Sequence, residues 1–528
     1  MAVIATLTKG YDLDYIWRQV DRSPVKDAAG YYIQASESGG EPPGRWWGPG
    51  AKALGFEHGQ TVEREPYDLL FGERKAPDGT PLGRPPGSGQ NTANIYARLL
   101  AAEPHATTER QHQLRTEATR QARQSPLYFD LTLSLSKSIS IFHASLGENA
   151  RLAREACDPA GNAYWSGLIA EVDAMIWQAA WAGFEYFQRE AGYTRTGSHH
   201  ARVGGRETGQ WHEADLAVAH WLQHTSRDGD MQLHVHSQIA HTARTHTDGK
   251  WRAPDSLGYN EHIGAVGAIV AQHLEEALTR RFGVQWVARD DGHGFEIKGI
   301  SGEMMRLFSS RRESITADVR ARAARFEQQY GRAPSQRELA QLAQASNFST
   351  RKAKDGTLDF AQLHQGWADK LARTLGVPLA AVAPSVWHDA GGHAPARRES
   401  PDPLELARAA QKAVALAQQE KSTWTRADLI KYLGRVLPRT GIEPAAAAAL
   451  LEDLADRALR SEFEPVICLE APEAVEVPRS LLRADGRSIY QRHGGVRYAT
   501  RAQLAMEERL VAQSAAEAAP RLTPADAA

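Results

Sequence analysis

The chain has 528 residues, 42% of them hydrophobic and 24% charged, and a formal net charge of -2. That is an ordinary water-soluble balance in a chain too long for one core, so two to four domains are expected. No apolar run reaches the roughly 18 residues of a membrane span, and the start lacks the apolar stretch of a signal peptide. Only two cysteines occur, Cys157 and Cys468. They exclude a disulfide framework or zinc ribbon and favour a cytosolic protein. With no excess of positive charge, any nucleic-acid surface must be local.

In chain order, residues 34–50 and 72–92 are rich in Gly and Pro and read as loops. "AKALGF" between them reads as a short helical turn. "LYFDLTLSLSKSISIF" (127–142) alternates, with Leu131, Leu133, Leu135, Ile139 and Ile141 on one parity. Asp130, Thr132, Ser134, Ser136, Ser138 and Ser140 take the other. This predicts a half-buried strand with a polar face, turning near Lys137. Residues 162–190 and 262–282 are apolar at helical spacing. Residues 300–375 read as helical and arginine-rich. Two basic stretches, 116–124 and 311–332, are most simply solvated helix faces. Residues 376–403 form the expected linker, clearest at "PARRESPDP". Beyond it, 404–460 reads as a small helical bundle, 474–497 as β-like, and the tail as frayed.

The stretch "WLQHTSRDGDMQLHVHSQIAH" (221–241) holds four of the chain's 20 histidines. On a strand, His234, His236 and Gln238 point one way and Leu233, Val235 and Ile239 the other. Residues i and i+2 on one face stand about 7 Å apart, so the two imidazoles can converge on one ion. His224 lies ten residues upstream of His234, across the turn formers of "TSRDGD". A hairpin would bring it beside the pair as a third ligand. Three neutral imidazoles leave coordination positions open, as catalytic metal sites do. The plain alternative is a set of hydrogen-bonded polar-face histidines. His241 has the opposite parity and is not an expected ligand.

"FDLTLSLSKSIS" (129–140), "HTSRDGDMQLHVH" (224–236) and "DGKWRAPDS" (248–256) occur in that order. Together with "GRWWGPGAKALGF" (44–56) and "FSTRKAK" (348–354), they resemble the signature segments of MobF-class conjugative relaxases. These are the TrwC/TraI-like members of the HUH endonuclease superfamily, and the resemblance covers about 1–375. This chain departs from the pattern twice. The family often has one more residue between its first histidine and Thr-Ser-Arg, which here follow His224 directly. Its usual Asp-Pro is Asp230-Met231 here.

The resemblance implies an α+β relaxase domain over 1–375, with a central antiparallel sheet carrying the histidines and helices on one side. A mostly helical accessory region follows over 404–528. It implies nicking of one DNA strand at a plasmid transfer origin, with a tyrosine becoming linked to the 5′ phosphate. The implied metal ligands are His224, His234 and His236, holding Mg2+ or Mn2+, with other transition metals as alternatives. Asp130 would orient one histidine or take the tyrosine proton; the sequence leaves both roles open. Tyr15 is the expected first nucleophile, and Tyr31 or Tyr32 the second. Trp46, Trp47, Lys137, Arg227, Lys250, Trp251 and Arg252 lie in or beside the motifs and are expected to contact single-stranded or hairpin DNA. Accessory relaxosome proteins and a coupling ATPase are the implied partners.

No G-x-x-x-x-G-K-[ST] loop occurs in the sequence. The chain therefore reads as an N-terminal portion or a form without the helicase motor, and no ATPase activity is expected. A rolling-circle initiator or transposase of the same superfamily would use the same residues. A DNA-binding module that has lost cleavage is the reading from another class.

Overall fold

The computed structural model describes residues 3–11, 13, 41–86, 92–121, 125–197, 202–203, 206–207, 209–226, 228–350, 360–387, 402–470 and 476–515. Tyr15, Tyr31, Tyr32 and Arg227 lie outside the described residues.

Seven strands form the central sheet: β1 (Ile4–Gly10), β2 (Arg45–Trp47), β3 (Tyr128–Ser134), β4 (Tyr193–Thr196), β5 (Gln210–Thr225), β6 (Met231–Thr245) and β7 (Trp251–Arg252). Their order is β1-β3-β6-β5-β2, with β4 paired to β5 and β7 to β6, all antiparallel. The long β5–β6 hairpin turns at Ser226–Asp230, where Gly229 takes a φ of 76° that suits glycine. Alternation along these strands sorts the side chains into two layers.

Three helices cover one face: α1 (Lys137–Glu155), α2 (Pro159–Ala191) and α3 (Tyr259–Phe282). Leu131, Leu133, Leu222, Leu233, Val235 and Ile239 point into this main core with Val172, Ile176, Phe184 and Ile269. The other face carries a smaller core, in which Trp46, Phe56, Tyr67 and Phe71 cover Tyr128, Ala219, Trp221 and Ala240. The fold is α+β, as the sequence implied.

Three expectations about the elements need correction. The alternating stretch does not stay a strand: β3 ends at Ser134 and α1 begins at Lys137. Ser138, Ile139, Ser140, Ile141 and Phe142 are all buried, so this helix start is enclosed on every side. Its serines are satisfied within the fold. Ser138 Oγ donates to Glu296 Oε2 at 2.6 Å and accepts from Ile297 N at 2.9 Å.

The expected linker is also partly structured. After α4 (Phe360–Leu375), helix α5 (Leu379–Val386) buries Leu379, Val382 and Val386. Ala383 N donates to Ser145 Oγ of α1 at 2.8 Å. The bundle that follows, α6 (Pro403–Glu420), α7 (Arg426–Val436) and α8 (Pro444–Leu459), shares the main core rather than standing apart. Gly434 of α7 crosses Ala268 of α3 so closely that a Cβ there would lie 2.5 Å from the alanine methyl. Glu275 of α3 pairs with Arg439, and both side chains are fully buried.

Residues 476–497, the described part of the β-like stretch, contain a short 3-10 turn (Arg479–Leu481) and loops. The paired strands flank it, at Val466–Cys468 and Tyr498–Thr500. Among the described residues no helix is long and apolar enough to cross a membrane. Cys157 and Cys468 are both free and exposed.

Candidate functional site

The face of the sheet opposite the helices carries the polar residues of three adjacent strands. Register places Thr132 of β3 across from His236 of β6, and Ser134 across from His234. On the other side of β6, Trp221 faces His236 and Gln223 faces His234. Directly opposed residues share a face. Asp130, Thr132, Gln223, His234 and His236 therefore lie on one surface.

Hydrogen bonds set the orientation of both histidines. His236 Nδ1 lies 2.8 Å from Asp130 Oδ2, and the carboxylate accepts its proton. Thr132 Oγ1 donates to Asp130 Oδ1 at 3.4 Å. His234 Nδ1 donates to the backbone carbonyl of Gln232 at 2.9 Å. In the neutral form of each ring these bonds place the lone pair on Nε2, the tautomer that suits a metal ligand. The two ring centroids are 5.0 Å apart.

His224 does not join this pair. It has the parity of Leu222, which points into the helical core. Its Nδ1 lies 2.8 Å from Glu41 Oε2, and its Nε2 lies 3.9 Å from Asp173 Oδ1 of α2. The His143 ring of α1 lies tilted beside it, ring centroids 5.2 Å apart, and its own Nε2 is 3.0 Å from the same Asp173 oxygen. Among the described residues His143, Asp173 and His224 are the one histidine and carboxylate group close enough to share an ion, whereas the predicted three histidines are not. Burial lowers the affinity of His224 for a proton, but Asp173 and Glu41 outweigh it and push its pKa up to about 10. Burial alone would raise the Asp173 carboxyl; His143 and His224 hold it well below the usual carboxylate range.

The missing residue before Thr-Ser-Arg explains the change of face. A strand slip of one residue flips the side chain. Counting back from Thr225 with the family's extra residue restored reaches Gln223, which is on the polar face. That count was the signal available in the sequence. Glu41 carried none, since it lies in a Gly/Pro-rich stretch far from the histidines.

Several expected DNA contacts also have other roles. Trp46 is 1% exposed and stacks on Phe56 at 4.3 Å, and Trp47 is 5% exposed and packs edge-on against Phe184. Both are core residues, out of reach of a stacking base. Lys137 Nζ donates to Met231 O at 2.6 Å, and burial pushes its pKa down to about 8. Arg252 is held by Asp248 in a two-pronged pair at 2.7 and 2.6 Å. Trp251 is half-buried against the smaller core, and Lys250 is exposed. His241, set aside by parity, packs its ring against Phe129 and lies 2.8 Å from Arg74 Nη2.

A sheet with His-x-His on its polar face and an aspartate behind one imidazole is the frame that the sequence motifs implied. The family model for the TrwC relaxase matches residues 10–374. The chain belongs to the TrwC relaxase family. It is accordingly a MobF-class DNA-nicking enzyme acting at a transfer origin, and transesterification is the general relaxase mechanism. The solved structures similar to it include conjugative relaxase TrwC with oriT DNA in a copper-bound form, 22% identical with a TM-score of 0.45. A metal-free TrwC–oriT complex is 21% identical with a TM-score of 0.44, and TrwC with a 27-mer DNA comprising the recognition hairpin and cleavage site is 21% identical with a TM-score of 0.45. Each match covers 71% of this chain and 100% of the other. No curated protein matches.

Proposed function

We propose that the polar face of β3, β5 and β6 is the centre where this relaxase nicks and rejoins single-stranded or hairpin transfer-origin DNA. The observation that carries this is the 2.8 Å contact between Asp130 Oδ2 and His236 Nδ1, which aims Nε2 away from the carboxylate. The donor set fits a divalent cation, because both histidines have Nδ1–H committed and Nε2 lone-pair-bearing. His234 and His236 would hold it, with Gln223, which faces His234 across the ladder, as the proposed third donor in place of His224. When bound, the cation polarises the scissile phosphate and offsets charge on its non-bridging oxygens. An amide oxygen among the donors tilts the preference toward Mg2+ or Mn2+ relative to three imidazoles.

Tyr15 is the proposed first nucleophile. Leu13, just before it, packs against the smaller core on the polar side of the sheet. A phenol has an ordinary pKa of about 10 and needs activation. The phenol gives up its proton as its oxygen attacks phosphorus, the P–O3′ bond breaks, and the leaving oxygen takes up one proton as the 3′-OH, so the step consumes no net proton. The resulting 5′-phosphotyrosine ester keeps the bond energy, so a free 3′-OH can reverse the step. Tyr31 or Tyr32 would serve a second transfer. Asp130 acts as the orienting carboxylate of His236 in this reading. Lys250 and Trp251 remain the proposed DNA contacts on the described surface, with Arg227 and Arg252 as phosphate partners.

Gln223 favours one second reading, a DNA-binding relative whose metal site is too weak to support cleavage. A denaturing gel separates the two. Labelled single-stranded DNA carrying the cognate origin is incubated with the protein and Mg2+ or Mn2+. A covalent band that needs metal and disappears in Tyr15→Phe supports nicking. Tight binding without a band supports the second reading.

A further inference from the structure

The imidazole that leaves the polar face enters a second cluster on the helical side of the sheet. His143 of α1, Asp173 of α2 and His224 of β5 have ligand atoms all within 4.8 Å of one another. The two Nε2 atoms converge on a single oxygen, Asp173 Oδ1, at 3.0 and 3.9 Å. Ligand atoms around a tetrahedral ion with bonds of about 2.0–2.1 Å stand about 3.4 Å apart, between those two values. Behind His224, Glu41 accepts from Nδ1 at 2.8 Å and from the backbone N at 3.1 Å. A carboxylate behind a ligating imidazole is the usual outer shell of a metal-bound histidine.

We propose that His143, Asp173 and His224 form a second divalent-metal site, separate from the His234–His236 face. Its occupant belongs to the borderline ions Zn2+, Co2+ and Ni2+, which two imidazoles and one carboxylate favour over Mg2+.

Charge supports the assignment. Glu41, Asp173 and His143 are 5%, 2% and 8% exposed. A divalent ion would offset the charge of the buried Asp173 carboxylate while leaving each imidazole neutral. The site would join α1, α2 and the end of β5, and through Glu41 the chain that leads out of residues 14–40. It therefore braces β5 at the residue that follows Gln223. Its role is structural, and nicking chemistry is not routed through it. His364 of α4 lies beside the cluster, its ring against Gly147 one turn after His143.

The test uses the full chain with His234→Ala and His236→Ala combined, which removes the polar-face pair. Equilibrium dialysis with Zn2+ and titration with Co2+, followed by visible absorption, count what remains. The proposal expects one tightly held equivalent with Co2+ ligand-field bands. Adding His143→Gln, or separately Asp173→Asn, should abolish it. No bound equivalent in the folded double variant would overturn the proposal and leave a proton-stabilised ion network. An equivalent that survives either third substitution would overturn it too, by placing the ion elsewhere. Asp173→Asn keeps the side-chain shape, so it remains informative if His143→Gln folds poorly. Nicking in the wild-type protein is untouched by this count.

Discussion

Gln223 and His224 are neighbours in the chain and stand on opposite faces of the central sheet. Gln223 faces His234 across the β5–β6 ladder, and His224 reaches Asp173 on α2. The proposed relaxase site thereby carries an amide where an imidazole was expected from the sequence. Gln223→His should restore three imidazoles on one face. We expect Mn2+ and Zn2+ to bind that face about tenfold more tightly or better, measured by calorimetry. Unchanged affinity would place Gln223 outside the metal's reach.

Asp130→Asn should keep the fold and weaken the site. The amide oxygen can still accept from His236 Nδ1, but the negative charge that raises imidazole basicity is gone. Second-shell losses of this kind are typically 10–100-fold in metal affinity or rate. Metal titration of single-turnover nicking measures it. A loss of rate that saturating metal fully recovers identifies an affinity effect. A loss that persists at saturation would assign Asp130 a part in proton transfer.

Trp46 is a stability residue. Trp46→Ala removes the ring stacked on Phe56 and opens a cavity between the sheet and its cover, which should cost roughly 3–5 kcal/mol. Denaturant unfolding gives the value. The folded fraction should bind single-stranded DNA nearly as well as the wild type, because the ring does not reach solvent.

The helices after residue 402 should not separate cleanly from the relaxase fold. Glu275→Ala leaves the Arg439 charge buried and unpaired, at an expected cost of about 3–5 kcal/mol. One unfolding transition, shifted as a whole, is the expected outcome. Loss of the C-terminal helices alone, with α3 still protected from hydrogen exchange, would contradict the shared core.

Acid should destabilise the sheet through His220. Burial, with a smaller push from His58, holds its pKa down at about 3, and Nδ1 bonds Ser237 Oγ at 2.8 Å. The unfolded chain titrates near 6.5, so it binds the extra proton first as pH falls. The contribution is complete above about 6.5 and is lost progressively towards pH 3, by up to ~1.4 kcal/mol per pH unit. His220→Gln should flatten the stability profile between pH 6 and 4 by about one proton.

Much of the site was legible in the sequence because period-two alternation is local. It put Asp130 on the polar side of β3 and His234 with His236 on the polar side of β6, and both hold. The parity that excluded His241 holds as well. His224 was misassigned because proximity in a hairpin says nothing about which side of the strand a residue takes. The alternating serines and isoleucines after Ser134 read as strand because a helix buried all round shows no amphipathic period. The tryptophans of "GRWWGPG" looked available to DNA, but a short edge strand covered on both faces buries them. The docking of α6–α8 on α3 depends on long-range contacts that a Pro- and Arg-rich linker conceals.

The most direct test compares single-turnover formation of the covalent DNA adduct in two variants at saturating Mn2+. If the polar face is the nicking centre, His234→Ala should slow adduct formation by about 10²–10³-fold. His224→Gln, once shown to be folded, should stay within about threefold of wild type, since its side chain is on the other face. Equal and severe loss in folded His224→Gln, with His234→Ala near wild type, would contradict the account.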